Sequence, residues 1–193
     1  MLIYIQFRFK RADPEAGMRK ITFGGANSLD NFLARKDDAV DWLLWSDEAA
    51  AVTSAYWKTI DAILMGRKTY EVAMRGSKGK KSPYPGMKSY VFSTTLTPEA
   101  HPDVTIVARD AASFVRRLKN EPGKDICLMG GGELAQPLFE AGLIDEIGLN
   151  IHPVLLGAGV PVFRAMSRQI ELELLESQTF KNGCVCVRYR VKN

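Results

Sequence analysis

Two stretches of the chain carry the residue types that hold phosphate. Ala62-Ile63-Leu64-Met65-Gly66-Arg67-Lys68-Thr69 and Asp125-Ile126-Cys127-Leu128-Met129-Gly130-Gly131-Gly132-Glu133-Leu134 each run from a short apolar segment into glycine and then into a helix-forming segment. A helix N-terminus offers backbone N–H groups without partners and a partial positive charge, so an anion is stabilised there. Glycine lets a diphosphate approach the backbone, Arg67 and Lys68 add charge, and the Thr69 hydroxyl adds a donor. Together the two stretches could seat a dinucleotide across the ends of adjacent strands. Neither matches G-x-G-x-x-G or the Walker loop, so a tight strand-to-helix turn is an equal reading of Gly130–Gly132. Cations at a helix start are electrostatically disfavoured unless an anion lies nearby, which makes Arg67-Lys68 informative. Ser93-Thr94-Thr95 either bind a ribose phosphate or cap the turn into Pro98.

Metal chemistry is not indicated. Cys184 and Cys186 are one residue apart, the spacing of one strand face, and only Cys127, His101 and His152 could join them. The odd cysteine count suits a reducing, cytoplasmic compartment. The chain has 193 residues, 46% hydrophobic and 25% charged, which fits one globular domain. A net charge of +4 favours anionic ligands mildly. The densest basic run, Arg75, Lys78, Lys80 and Lys81, reads as a solvated loop or as a guide for a phosphorylated ligand, not as a nucleic-acid surface. The uncharged stretch 147–163 holds two prolines and three glycines, which break a membrane helix.

Several elements must position these residues. Residues 1–19 read as an N-terminal extension whose start alternates like a strand, and 20–193 as one domain. KITFGGA is a strand ending in glycines. SLDNFLARKDDAVDWLLW is loop-rich, and Ser46 or Asp47 caps a helix to about Thr59. AILMG, KSYVFS, VTIVA and DICLM are strands, with helices over RKTYEVAM, after Asp110, and over ELAQPLFEAG. In the last, Pro137 is placed in the first turns and Gly142 at the end. IDEIGLNIHPVLL is a strand. IELELLESQTF and CVCVRYRV form a hairpin through Asn182-Gly183. Strand–helix alternation followed by two antiparallel strands implies a mixed sheet between helices.

ILMGRKTYE resembles the MGR-[KR]-T-[WY]-E stretch of dihydrofolate reductases. SLDNFLA and DWLLW resemble segments of their relatives, the reductase domains of riboflavin biosynthesis, and so does GGGELAQPLFEAGLIDEIGLNIHPVLLGAGVPVF, the most specific match. The resemblance spans residues 19 to about 191. It implies a dihydrofolate-reductase-like α/β fold: three layers, α/β/α, with a mixed, mainly parallel central sheet and a C-terminal antiparallel hairpin. It implies NADPH as cofactor, with Gly130, Gly131, Gly132, Glu133 and Leu134 at the diphosphate. Gly66, Arg67, Lys68 and Thr69 would meet the diphosphate and adenosine side, and Ser93 and Thr94 the 2′-phosphate. Gly25, Ala26, Asn27 and the loop through Asp30 would lie over the nicotinamide.

Two departures stand out. The acidic residue that pairs with the pterin in dihydrofolate reductases, counted back from Gly66, falls on Ala50, which can neither hydrogen-bond nor protonate a pterin. Asn31 replaces the glycine after Ser28-Leu29-Asp30, and asparagine tolerates left-handed geometry. No deaminase zinc motif is present. The resemblance therefore implies an NADPH-dependent reductase of a small heterocyclic or sugar-imine substrate, similar to the 5-amino-6-(5-phosphoribosylamino)uracil reductase; a homodimer is expected, since the alternating tail and the N-terminal extension would supply strand edges. The substrate would rest among Asn27, Asp30, Trp42, Trp45, Tyr56, Trp57 and Asn150. Asp30 is the expected proton donor or, equally, a turn cap, and Trp42 and Trp45 are ligand contacts or core. The rival readings are a dihydrofolate reductase and a non-catalytic, dimeric nucleotide-binding protein.

Overall fold

The computed structural model describes residues 18–77 and 82–192. Both the strand expected at the start of the chain and Lys78, Lys80 and Lys81 lie outside the described residues. Among the described residues, ten strands and four α-helices follow in order: β1 Ile21–Ser28, β2 Phe32–Ala34, α1 Asp47–Trp57, β3 Ile60–Gly66, α2 Arg67–Gly76, β4 Lys88–Phe92, β5 Thr105–Val107, α3 Ala111–Asn120, β6 Asp125–Met129, α4 Gly132–Glu140, β7 Glu146–His152, β8 Val160–Pro161, β9 Glu171–Thr179 and β10 Val185–Lys192. Eight of the strands form one sheet in the order β5-β4-β3-β6-β1-β7-β10-β9, and β2 pairs with β8. Strands from β5 across to β7 are parallel, and β10 runs antiparallel to both β7 and β9. The sheet is therefore mixed and mainly parallel, closed at one side by the C-terminal hairpin.

Alternation along the central strands builds two cores. Ala62, Leu64, Ile126 and Leu128 join Ile21 and Phe23 under α3 and α4, where Val115, Leu118, Leu138 and Phe139 meet them. Ile63, Met65 and Cys127 point the other way, towards Tyr56 and Trp57 of α1 and Tyr70 of α2. Burial on both faces explains why AILM and ICLM are continuous apolar runs. This is the three-layer arrangement expected.

Local chemistry sets the element ends. Ser46 accepts from the Ala49 N–H and caps α1, with Asp47 and Glu48 in the first turn. Asp110 caps α3 by accepting from Ser113. Gly142, at φ 63°, ends α4, where its N–H and that of Leu143 close on Phe139 and Leu138. Pro137 is the sixth residue of α4, in its second turn, beyond the first four N–H groups that lack helical partners, so its missing N–H does cost a helical bond. The hairpin loop holds three residues, Lys181-Asn182-Gly183, with Gly183 left-handed at φ 85° and Phe180 bonded to Cys184. Asn31 adopts φ 64°, so the turn after Asp30 survives without glycine. Arg19, grouped with the extension by sequence, is buried, bonds to the Lys124 carbonyl and pairs with Asp61. It anchors the start of the domain.

Candidate functional site

Parallel strands β3, β4, β5, β6 and β1 deliver their carboxyl ends to one edge. Register places Gly66 beside Phe92, and Met129 beside both Met65 and Gly24. A groove of about 1110 Å³ follows that edge and continues beneath α1. The two phosphate-type junctions meet in its wall. Thr69, in the first turn of α2, lies directly against Gly130, and a Cβ at Gly130 would overlap the Thr69 hydroxyl. The N-termini of α2 and α4 thus form one surface.

The three glycines are glycines for different reasons. Gly130 has φ 113°, a conformation side chains rarely adopt. A Cβ on Gly132 would sit 2.7 Å from the Arg164 nitrogen and 3.0 Å from the Phe163 carbonyl carbon, so this position is closed by packing. Gly131 differs: its Cβ would find Leu33, Val160 and Pro161 at 3.6–3.7 Å, ordinary contact, and its remaining side faces the groove. The glycine run therefore serves both the tight turn and an open cradle.

Beyond the glycines, Gly66, Arg67, Lys68, Thr69, Ser93, Thr94, Glu133 and Leu134 line one end. Arg67 pairs with Glu71 at 2.8 Å, and Glu133 with Arg164 at 2.7 Å. Ser93 Oγ accepts from the Thr95 and Leu96 N–H groups, so it caps its turn while remaining at the groove. The Ser93 N–H donates to the Val107 carbonyl, which brings the loop with exposed Arg109 alongside. Sequence reading missed Arg109. It also missed Val160 and Pro161 of β8 and Arg164 just beyond it, which come to the groove from far along the chain.

At the other end lie Ala26, Trp45, Tyr56, Trp57 and Asn150, with Thr22, Gly24, Thr53, Gly148 and His152. Trp45 is 79% exposed, an indole held at the mouth. Burial pushes the Tyr56 phenol well above its ordinary pKa, with Cys127 and Thr22 as its hydrogen-bonding neighbours. Burial likewise pushes the Cys127 thiol up to about 11, so it stays protonated and unreactive. Desolvation lowers the pKa of His152 and keeps it neutral.

Three expected contacts do not line the groove. Asp30 is tied elsewhere: it accepts from Ser28 Oγ at 2.6 Å and from the Leu156 and Gly157 N–H groups. The Ser28 bond holds its carboxyl below the usual range; burial opposes it, and the Leu156 and Gly157 amides add to the lowering. A carboxylate kept ionised to brace two loops is a poor acid, so the turn-capping reading describes it. Asn27 is fully buried and donates to the Ser28 carbonyl. Trp42 packs edge-on against His152 at 5.3 Å and belongs to the interior. Ala50 is exposed and outside the groove, whereas Ala49 and Thr53 line it; the acids of α1, Asp47 and Glu48, do not.

Among the described residues no group of three or more His, Cys, Asp or Glu side chains is placed to hold a metal, and no helix is long and apolar enough to cross a membrane.

A mixed eight-stranded sheet between helices, with a groove across its carboxyl edge, defines a dihydrofolate-reductase-like α/β protein. Residues 19–186 match the family model of the RibD C-terminal domain, and the chain belongs to that family. It is 32% identical over 180 residues to the uncharacterized protein YyaP of Bacillus subtilis (strain 168), covering 89% of this chain and 94% of YyaP. A crystal structure from Shewanella sp. PV-4, with a provisional riboflavin-biosynthesis name, superposes with a TM-score of 0.76 at 26% identity, covering 91% of this chain and all of the other. The dihydrofolate reductase of Enterococcus faecalis, solved with NADP(H), shares the fold at a TM-score of 0.65 and 13% identity, covering 92% and 99%.

Proposed function

We propose that the protein is an NADPH-dependent reductase, similar to the 5-amino-6-(5-phosphoribosylamino)uracil reductase in acting on a small heterocyclic or sugar-imine compound. The contact of Thr69 with Gly130 carries this reading, because it fuses two helix N-termini into one anion-binding surface next to the open face of Gly131.

Gly66, Thr69 and the open side of Gly131 would hold the diphosphate, with Gly130 and Gly132 shaping the turn and Glu133 and Leu134 closing the first turn of α4. Arg67, Lys68, Ser93, Thr94 and Arg109 would read the 2′-phosphate, a dianion suited to cations and hydroxyls. Ala26 would face the nicotinamide. When bound, NADPH supplies a hydride. The chain's own contribution is orientation and exclusion of water. Trp45, Tyr56, Trp57 and Asn150 form the substrate end, where indole and phenol rings offer flat apolar walls to a planar ring. Neutral Cys127 and Tyr56 leave the floor uncharged. With Asp30 braced ionised, the proton that completes reduction comes from water at the open mouth.

Two copies would associate through β9, the outermost strand on that side among the described residues, whose Leu172 and Leu174 are 40% and 54% exposed; light scattering reads whether two copies associate. The catalytic proposal is tested by following NADPH oxidation with pyrimidine ribosylamines and dihydropterins. Turnover with a pyrimidine compound supports it, turnover with dihydrofolate replaces it by the dihydrofolate reductase reading, and tight binding of NADPH without oxidation by any of them replaces it by a binding protein.

A further inference from the structure

The two ends of the groove differ in charge as well as in shape. Among the described residues, the cations that line it are Arg67, Lys68, Arg109, Arg164 and Arg188. Arg67 and Lys68 follow β3, Arg109 follows β5, and Arg164 lies against Gly132 at the start of α4. Strand β7, under the other end, is three strands from β3 and five from β5, about 14 and 24 Å at the usual strand spacing. The cation at that end is Arg188. It stands on β10 opposite Gly148, and its guanidinium lies 3.1 Å from the Glu146 carboxylate and 3.4 Å from that of Glu176. Lys20 shares Glu146 at 3.5 Å, so two cations and two carboxylates balance there.

The wall of this end is apolar. Val40, Leu43, Leu44, Trp45, Ala49 and Val52 form a slot between the segment before α1 and the first turns of that helix. Trp45, Leu44 and Val40 are 79%, 43% and 39% exposed, large apolar side chains left open beside a groove. Their exposure is held in place. The Leu44 N–H donates to His152 Nδ1 at 3.1 Å, its carbonyl accepts from the Asn182 amide, and Ala49 packs on Phe180 and Cys184. A contiguous apolar surface kept open at a pocket marks a binding site, because covering it is favourable. Around the slot, residues 35–48 carry five acids and two cations. Lys181, whose N–H donates to Glu48, adds a third cation, so the mouth stays two charges negative.

We infer that the substrate is a neutral planar compound with an apolar arm, an aryl or alkyl group, rather than one that carries a phosphorylated sugar. Gly24 and Gly148 are register partners on the floor of the groove, where bare backbone leaves room for a flat ring. The arm would cover Trp45 and Leu44 and take their apolar surface out of water. A phosphate in the same place would have to draw Arg188 away from Glu146 and Glu176, and would face a mouth of its own sign. The basic end, which suits phosphates, is left to the cofactor. The inference rests on the proposed function in taking the end beneath α1 as the substrate's.

Calorimetric titration of the full chain with three ligands that share one ring tests this: 6-benzylaminouracil, 6-ribitylaminouracil and the 5′-phosphate of the latter. NADPH is present throughout, so that the basic end is filled. Wild type should bind the benzyl compound most tightly, with a dissociation constant roughly tenfold or more below that of the phosphate. Equal or tighter binding of the phosphate, or no binding of the benzyl compound, overturns the inference. Trp45 is largely exposed, so Trp45→Ala leaves the packing of the fold intact. This variant should weaken the benzyl compound roughly tenfold and change the phosphate by about twofold at most. An equal loss for both, or none for the benzyl compound, also overturns it. The order of the three ligands is read without hydride transfer. Failure of the reductase reading shows elsewhere, as absent NADPH binding or absent oxidation, so the two fail separately.

Discussion

The two strand-to-helix junctions look alike as strings of residues and differ as structures. At β3–α2, a methyl group on Gly66 would meet nothing within 4 Å, and the helix starts with its charges on the surface. At β6–α4, Gly130 is left-handed against Thr69, Gly132 is pressed by the backbone of Phe163 and Arg164, and only Gly131 keeps a free side. One junction is open and tunable. The other is a packing node whose middle residue alone is left for a ligand. A glycine-rich stretch therefore does not announce that each of its glycines is open to the groove; the segment that crosses it, here 160–164, decides which ones are.

Substitutions at the two junctions sharpen or break this contrast. Gly132→Val should cost about 2–3 kcal/mol, since backbone atoms of 163–164 cannot yield, and thermal unfolding should shift down by roughly 4–12 °C. A full-length variant that melts like wild type would show that the crossing segment does not press on α4. Gly131→Val should keep the wild-type melting temperature while NADPH affinity in calorimetry falls roughly 100-fold, the loss of two charge-assisted hydrogen bonds. Equal affinity would remove the diphosphate from this cradle. Arg67→Ala combined with Ser93→Ala should narrow the preference for NADPH over NADH roughly tenfold, read as a ratio of dissociation constants; a constant ratio would move 2′-phosphate recognition to other residues such as Arg109. Gly66→Ala should change stability by under about 0.5 kcal/mol and NADPH affinity by about twofold at most. A larger loss would mean that this junction is as tightly used as its neighbour.

Much of the architecture was legible because it depends on short-range periodicity. Apolar runs such as AILM and ICLM announced strands buried on both faces, Ser46 and Asp110 announced helix starts, and Asn182-Gly183 announced the hairpin. The groove-lining junctions were legible because strand-to-helix junctions are contiguous in sequence. The other end of the groove was not. Asp30 looked like an acid because nothing near it in sequence says that the Leu156 and Gly157 amides, more than a hundred residues on, fill its lone pairs. Trp42 and Trp45 are three residues apart, yet one packs inside and the other stands in solvent.

By itself the sequence determined the alternation of strand and helix, the parallel core and the place of the glycine junctions, since each follows from spacing along a few residues. Tertiary structure alone decided that Thr69 closes onto Gly130 and that the 160–164 segment seals Gly132 and spares Gly131. Those outcomes depend on atoms brought together from distant parts of the chain, where a hydrogen bond or a van der Waals overlap a few ångströms long overrides what each residue type favours alone.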